Sequence, residues 1–286
     1  MADGIARRHH FVPEFLLNKW AIENEVHGYF CDERKAILRC KRRGAKAFCH
    51  KMDLWTLKAS RWKPDAIETR FFGAIDDKGA KVQAVLQTSG PDSLTSEQRS
   101  DFARLLLSLD IRRPSIVEKV RDRSKKYADG LNHDPMILDG KEKLGLPDKP
   151  SKLYEQLTGV SLEDVALIGI QKLVDNHEVG EILINAHWHV VRLGPSDGTL
   201  VLSDRPLIRV GDFDHPRAGW ILPMSPNTAF VAVNHYANLT QIKKLSPQRF
   251  AKETNISSVR QTDHYVFAID KSHTNWIGKH FSRPSD

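Results

Sequence analysis

The spacing of apolar residues changes along the chain, from helical in the middle to strand-like near the C-terminus. Between about residues 65 and 185, apolar positions recur every three to four residues, which predicts helices. After residue 187, short apolar runs are separated by turn residues, which is typical of strands. The pattern predicts an α+β fold with four to six helices in the middle and a small, mostly antiparallel sheet in the C-terminal half.

An N-terminal hairpin is predicted before the helical middle. Residues 13–22 read as a short helix, since proline is tolerated in a first turn. Two strand-like runs follow, at residues 26–31 and 36–43, with a polar turn between them at residues 32–35. The second run is rich in arginine and lysine, so we expect a basic β-hairpin.

The helical middle divides at turn residues and caps. Gly79 suggests a break near residues 77–79, Thr95 and Gln98 have the spacing of a capping box, and Gly180 suggests a kink. The predicted helices are residues 65–87, a helix that begins near Thr95 and ends at Pro114, residues 114–127, and residues 161–185. Five short strands are predicted between residues 187 and 233, then a helix at 246–261 and a strand at 264–269.

Residues 132–152 contain three prolines and two glycines with little periodicity. Such a segment is typical of a linker or a lid. We expect a single domain over residues 1–286, with two subdomains divided near 132–152 as the alternative.

Composition narrows the class of protein. Hydrophobic residues make up 40% of the 286 and charged residues 28%, which is typical of a globular chain. No apolar run approaches the roughly 20 residues that span a bilayer, and the N-terminus lacks the apolar core of a signal peptide. Three cysteines suggest a reducing compartment. We therefore expect a cytoplasmic protein without a membrane segment.

The net charge of +7 is concentrated near the N-terminus. Residues 1–62 contain 13 Lys and Arg against 7 Asp and Glu, an excess of +6. Such asymmetry favours an anionic partner, chiefly nucleic acid, and the alternative is a solvated basic surface that aids solubility. Arg39, Lys41, Arg42 and Arg43 on the hairpin are the expected contacts to a nucleic-acid backbone.

Common catalytic and metal-binding motifs are absent from the sequence. There is no phosphate-binding glycine loop, dinucleotide fingerprint, nucleophile elbow or zinc-protease helix. Cys31, Cys40, Cys49 and His50 could form a zinc site, but their spacing does not match a zinc knuckle, so small buried thiols are the preferred interpretation. His187 and His189 share one face of a predicted strand, which suits either a metal or a solvated surface.

Two polar motifs remain as candidate chemistry. His9 and His10 follow Arg7 and Arg8, and a fixed imidazole could act as base or acid, whereas the alternative is a flexible arm. Asp204 follows an apolar strand and could be a base or a metal ligand, or it could accept hydrogen bonds from amides of its own turn. Arg112 and Arg113 end a strongly apolar helix, so we expect at least one guanidinium to be drawn inward, to an ion pair with a carboxylate such as Glu68 or Asp76 or to a bound anion.

Together these motifs form a recognisable pattern. It comprises the opening His9-His-Phe-Val-Pro13-Glu-Phe-Leu-Leu-Asn-Lys-Trp20, Ile67-Glu68, Ile111-Arg-Arg-Pro114, Trp188, Leu202-Ser-Asp-Arg-Pro206 and Leu222-Pro-Met-Ser-Pro226. The chain resembles the bacterial domain-of-unknown-function 4238 family over nearly its whole length. The resemblance implies that the matching positions matter, namely His9, His10, Pro13, Glu68, Arg112, Ser203, Asp204 and Pro206.

The sequence departs from the family pattern at two points. Arg205 stands where a small amide is expected, and Asp76 could align in place of Glu68. The resemblance indicates which residues matter, but it does not indicate which reaction, if any, they carry out.

Histidines, carboxylates, an arginine and a basic surface are the parts of a phosphodiester hydrolase. We therefore expect a nuclease-like enzyme acting on nucleic acid, with His9 and His10 as catalytic imidazoles, Glu68 and Asp204 as carboxylate partners, and Arg112 as phosphate clamp. The sequence does not fix a cofactor, although a divalent metal is compatible with these ligands. Pro13, Ser203 and Pro206 are expected to shape turns, and the sequence does not indicate an oligomeric state.

Two other classes of function fit the same residues. In a noncatalytic nucleic-acid-binding module, the polar set is an internal hydrogen-bond network and the basic hairpin binds. In a small-molecule hydrolase or toxin-like effector, a pocket lies under the 132–152 segment and the charge is incidental.

Overall fold

The computed structural model describes residues 4–32, 37–145 and 147–281. It confirms the α+β class, the N-terminal basic hairpin and the antiparallel sheet of the C-terminal half. The turn was predicted at residues 32–35, of which residues 33–35 lie outside the described residues.

The strands form three small sheets. A two-stranded sheet pairs β1 with β4, and two four-stranded sheets have the orders β3-β2-β10-β6 and β5-β9-β8-β7. Both four-stranded sheets are antiparallel. The strands are β1 (Arg8–His10), β2 (Val26–Asp32), β3 (Ile37–Arg43), β4 (His50–Met52), β5 (His187–Arg192), β6 (Leu202–Ser203), β7 (Ile208–Val210), β8 (Gly219–Ser225), β9 (Thr228–Val233) and β10 (Val266–Ala268).

Helices occupy most of the middle of the chain. The helices are α1 (Glu14–Leu17), α2 (Gly73–Thr88), α3 (Ser96–Ile111), α4 (Pro114–His133), α5 (Pro135–Leu144), α6 (Leu153–Thr158), α7 (Leu162–Val174), α8 (His177–Asn185), α9 (Tyr236–Lys243), α10 (Pro247–Gln261) and α11 (Thr274–His280). Seven of them lie between residues 73 and 185 of the described chain, so the expected four to six is an undercount.

Two predicted helix boundaries were wrong for local reasons. The irregular segment expected at residues 132–152 contains α5, which begins with proline in its first turn, a position that needs no amide hydrogen. The single helix expected over residues 161–185 ends at Val174, and α8 begins anew because the Asn176 side chain accepts a hydrogen bond of 2.9 Å from the amide of Val179.

The expected break near Gly79 does not occur. The irregularity lies earlier, in a π-helical turn at Ile67–Phe72, and α2 then runs unbroken through Gly79. A Cβ atom at position 79 would lie 2.7 Å from Cδ2 of Leu105, so this glycine allows α3 to pack closely.

The chain divides into two compact units. The first comprises residues 1–9, 51–74 and 111–175, and the second comprises residues 10–50, 75–110 and 176–286. In the first unit, the buried carboxylate of Asp164 accepts hydrogen bonds of 2.9 and 3.0 Å from the amides of Lys58 and Ala59. In the second unit lie both four-stranded sheets.

One face of the β3-β2-β10-β6 sheet forms part of the core. Tyr29, Val266 and Ala268 are buried there with Val259 of α10 and Ile277 of α11. Because strand residues alternate between the two faces, the residues next to these point to the opposite face. That opposite face carries the candidate site.

Candidate functional site

The basic hairpin has two different faces. Arg39, Lys41 and Arg43 alternate along β3 and are exposed on one face, opposite Phe30, Gly28 and Val26 of β2. Arg42 is on the other face, where its guanidinium contacts the carboxylates of Glu23 at 2.8 Å and Glu25 at 3.1 Å. Only three of the four expected nucleic-acid contacts therefore share a surface.

Four aromatic rings form a cluster that reaches the cations at Phe30, the ring contacted by Lys41. Phe30 lies 5.9 Å from Tyr265 between ring centroids, Tyr265 lies 5.5 Å from Phe48, and Phe48 lies 5.2 Å from Phe267. Gly28 makes room for this cluster, since a Cβ atom there would lie 2.6 Å from Cε1 of Phe48. Phe48 and Phe267 are buried, whereas Phe30 and Tyr265 are half-buried.

We call Phe30, Arg39, Lys41, Arg43 and Tyr265 the basic aromatic face. Lys41 Nζ lies 4.6 Å from the centroid of the Phe30 ring, a cation–π contact. Arg39 Nε contacts Oδ2 of Asp32 at 2.9 Å in a partly exposed ion pair. Burial raises the pKa of the Tyr265 phenol, with smaller contributions from Cys49 and Asp204, so the ring is neutral at physiological pH.

Asp204 fixes the loop that carries Tyr265. Its buried carboxylate accepts hydrogen bonds from the hydroxyl of Thr262 at 2.7 Å and from the amides of Asp263, His264 and Tyr265 at 2.9, 2.7 and 3.0 Å. The Asp204 amide donates in turn to the carbonyl of Tyr265 at 2.9 Å. The carboxylate thus accepts from amides of a distant loop, and not from its own turn as expected.

The electrostatics of Asp204 are dominated by burial. Removal from water raises the pKa of its carboxyl group, and the four hydrogen bonds lower it only in part. Ser203 and Pro206 are buried on either side, and the Ser203 hydroxyl donates to the carbonyl of Arg205 at 2.6 Å. The Ser-Asp-Arg-Pro segment is therefore a tightly bonded turn.

His9 and His10 lie on opposite sides of β1. His9 is fully buried, its Nδ1 accepts from the amide of Trp55 at 2.8 Å, and its Nε2 donates to the carbonyl of Ala6 at 2.9 Å. Because Nδ1 is an acceptor, the ring is the neutral tautomer with its proton on Nε2. His9 is thereby held in a backbone network.

His10 is half-buried beside another imidazole and a carboxylate. Its ring centroid lies 5.7 Å from that of His50, and its Nε2 lies 3.6 Å from Oε1 of Glu14. Pro13, at the start of α1, is buried, and its carbonyl accepts from the amides of Leu16 and Leu17. The helix start thus places Glu14 one turn beyond His10.

Arg112 and Glu68 belong to the first unit. Arg112 lies in the joint between α3 and α4 with 0% exposure, and its guanidinium carbon lies 5.5 Å from the centroid of the Phe72 ring. Glu68 is half-buried in the π-helical turn, and Asp76 is half-buried in the first turn of α2. One guanidinium of the Arg112-Arg113 pair is thus buried, that of Arg112, while its phosphate-clamp role stays a prediction.

The polar residues described above all lie in the part of the chain that matches a single protein-family model. The family model described as a protein of unknown function, DUF4238, matches residues 8–272. The chain belongs to the DUF4238 family. No curated protein and no solved structure matches it.

The match covers every position that the family resemblance implied, from His9 to Pro206, and also Tyr265. Among the described residues of this DUF4238 chain, no group of three or more His, Cys, Asp or Glu side chains could hold a metal ion. All three cysteines are free. No helix within the described ranges is both long and apolar enough to cross a membrane.

A cleft of about 450 Å³ lies in the first unit of the DUF4238 domain, near the end of the 132–152 segment. Its ionic groups are largely paired with one another. The pairs are Lys58 with Glu163 at 2.7 Å, Arg121 with Glu163 at 3.1 Å, and Lys152 with Glu155 at 2.5 Å.

Sequence reasoning assigned no role to Phe30, Tyr265 or Glu14, and it considered His50 only as a possible zinc ligand beside the cysteines. The four-residue spacing of His10 and Glu14 was visible in the DUF4238 opening motif, and the alternation of Phe30 with its neighbours was visible in the first strand. His50 and Tyr265 join their clusters through pairing of segments distant in sequence, so no local signal pointed to them.

Proposed function

We propose that the protein binds single-stranded nucleic acid across the basic aromatic face, as a noncatalytic binding module. The observation that carries this proposal is the placement of Lys41 and Arg39 beside the half-buried rings of Phe30 and Tyr265 on one sheet face. Exposed aromatic rings stack on unpaired bases, and neighbouring cations contact the phosphates.

Arg39 and Lys41 can exchange their present contacts for contacts with phosphate groups. The Arg39–Asp32 ion pair is partly exposed, and such pairs contribute about 1 kcal/mol or less, so a phosphate can compete for the guanidinium. Lys41 lies over Phe30 and can turn to a phosphate when a base takes its place on the ring. A duplex offers stacked bases only at its ends, so we expect single strands to bind more tightly.

Fluorescence anisotropy with a labelled 12-nucleotide single strand tests the proposal, with the matching duplex as a comparison. Lys41→Glu is expected to weaken binding by about tenfold or more, because it replaces a phosphate contact with repulsion. Arg42→Glu is the matched control, since it makes the same charge change one residue away on the opposite face. Equal losses in the two variants would contradict the proposed face.

Stacking and charge can be separated further. Phe30→Ala should lose roughly 1–3 kcal/mol of binding free energy with little change in salt dependence. Lys41→Gln should instead reduce the slope of log affinity against log salt by about 0.7. A Phe30→Ala variant that folds and binds as tightly as the wild type would overturn the stacking role.

We propose phosphodiester hydrolysis as a second candidate function, favoured by the adjoining imidazoles of His10 and His50 and by Glu14 next to His10. In this reaction His10 takes a proton from water, the water oxygen bonds to phosphorus, and His50 protonates the leaving oxygen as the ester bond breaks. Glu14 would stabilise the imidazolium.

Cleavage of a labelled single strand, measured with MgCl₂ and with EDTA, tests this second function. His10→Gln should abolish cleavage while leaving anisotropy binding and thermal unfolding unchanged. His187→Gln, an exposed histidine on β5, is the control for purification and folding. Cleavage that persists undiminished in His10→Gln would exclude the His10 imidazole as the base. If the nucleic acid stays intact with both MgCl₂ and EDTA, hydrolysis is excluded and binding is the only proposed function that stands.

A further inference from the structure

A largely apolar cleft lies on the β5-β9-β8-β7 sheet, separate from the basic aromatic face. Its volume is about 620 Å³, within the range of small-molecule sites. Its floor is formed by two cross-strand pairs of β8 and β9, Gly219 with Val233 and Ile221 with Val231. Directly paired residues share a face, and Val231 and Val233 are buried beneath this floor while Ile221 is half-buried and partly accessible.

The cleft is not a defect of the core. The opposite face of the same sheet is closely packed, where Phe102 of α3 contacts the rings of Trp188 and Phe230 at centroid distances of 5.8 and 5.0 Å. On the cleft side, Ile242 of α9 and Leu245 form an apolar wall and remain half-exposed.

One uncompensated cation lies at the rim. Glu253 also lines the cleft, but its carboxylate is bonded to Nε of Arg249 at 2.8 Å. Asn238 uses its amide group to donate to the carbonyl of Pro216 at 2.9 Å. Arg217 is exposed and makes no ion pair with any residue that the structure describes. The rim therefore offers a free guanidinium next to apolar walls.

We propose that this cleft binds a medium-chain aliphatic carboxylate. Its hydrocarbon chain lies along Ile221, Ile242 and Leu245, because burial of apolar surface drives binding. Its carboxylate bonds to Arg217, since a guanidinium matches a carboxylate with two parallel hydrogen bonds. Neither a bare carboxylate nor a neutral chain uses both parts of the site.

Isothermal titration with decanoate, the neutral decanamide and acetate tests this site, at concentrations below the onset of micelles. Wild-type protein should bind decanoate more tightly than decanamide and should not bind acetate measurably. Arg217→Gln should weaken decanoate binding about tenfold and leave decanamide binding unchanged. Lys252→Gln, an exposed cation of α10 outside the cleft lining, is the matched control.

A second test fills the cleft with a larger side chain. Ile242→Trp should abolish binding of both long-chain ligands, and Leu245→Trp replaces it if the first variant unfolds at a lower temperature than the wild type. Absence of decanoate binding to the wild type would overturn the proposal. Binding that survives both a filled cleft and Arg217→Gln would overturn it equally, because the ligand would then occupy another surface.

Discussion

The hydroxyl of Thr262 donates a hydrogen bond of 2.7 Å to Oδ1 of Asp204, across 58 residues of chain. Three consecutive amides complete the set of donors to the same carboxylate. This arrangement fixes the loop before β10 and with it Tyr265. A residue that sequence reasoning assigned to catalysis is therefore central to the stability of the proposed binding face.

Asp204→Ala should lower the free energy of unfolding by about 3–5 kcal/mol, because it leaves buried donors without an acceptor. Asp263→Ala, an exposed carboxylate of the same loop, should change it by less than about 0.5 kcal/mol. Urea unfolding at neutral pH measures both. A small effect of Asp204→Ala on stability, with a large loss of cleavage or binding, would instead indicate a direct functional role.

His9→Ala is expected to destabilise the protein by about 2–4 kcal/mol, since it opens a cavity and frees the Trp55 amide and the Ala6 carbonyl. His177→Ala changes an exposed histidine at the start of α8 and serves as the control. Thermal or urea unfolding should separate the two variants clearly. If they unfold alike, the buried hydrogen bonds of His9 contribute nothing measurable.

Two helical glycines should respond oppositely to alanine. Gly79→Ala should destabilise the protein by about 1–3 kcal/mol, because its new methyl group would overlap Leu105. Gly130→Ala, in α4 with no neighbour within 4 Å, should stabilise it by roughly 0.5–1 kcal/mol through helix propensity. Urea denaturation midpoints of the Gly79→Ala and Gly130→Ala variants give the test. Stabilisation by both substitutions would show that α3 moves to accommodate the new methyl group at little cost in free energy.

Stability should fall as the pH drops below about 6.5, in part through His273. Burial lowers the pKa of this imidazole, so the unfolded chain takes up its proton at a higher pH than the folded protein does. The contribution is complete above the unfolded pKa and is lost toward the folded one. His273→Gln should therefore lose less stability than the wild type between pH 8.0 and pH 5.5, as measured by urea unfolding. Identical losses would contradict this assignment.

Local patterns predicted much of the secondary structure but little of the site. The capping box is present as expected, with Thr95 and Gln98 each bonding the other's backbone amide. By contrast, α5 was missed because prolines and glycines were read as breakers, although Pro135 only begins a helix. Sequence patterns that span a few residues are sufficient to predict helix caps and the alternation of buried and exposed residues along a strand.

Clusters that depend on distant pairing could not be found in this way. The charge excess of the hairpin was evident, but its division between two faces depends on strand register and on Glu23 and Glu25. Tyr265 reaches Phe30 only because β10 pairs with β2. Ring contacts across more than 200 residues leave no trace in spacing or composition.

The pairing of β2 with β10 also determines when the basic aromatic face can form during synthesis of the chain on the ribosome. Val26–Asp32 is made early, yet its neighbour Val266–Ala268 leaves the ribosome about 240 residues later. Until then the hairpin lacks one flanking strand, and Phe30 lacks the ring of Tyr265. Domains that rely on such non-local contacts complete them late. A nascent chain that has not yet reached β10 would thus carry the positive charge of the hairpin without the finished surface.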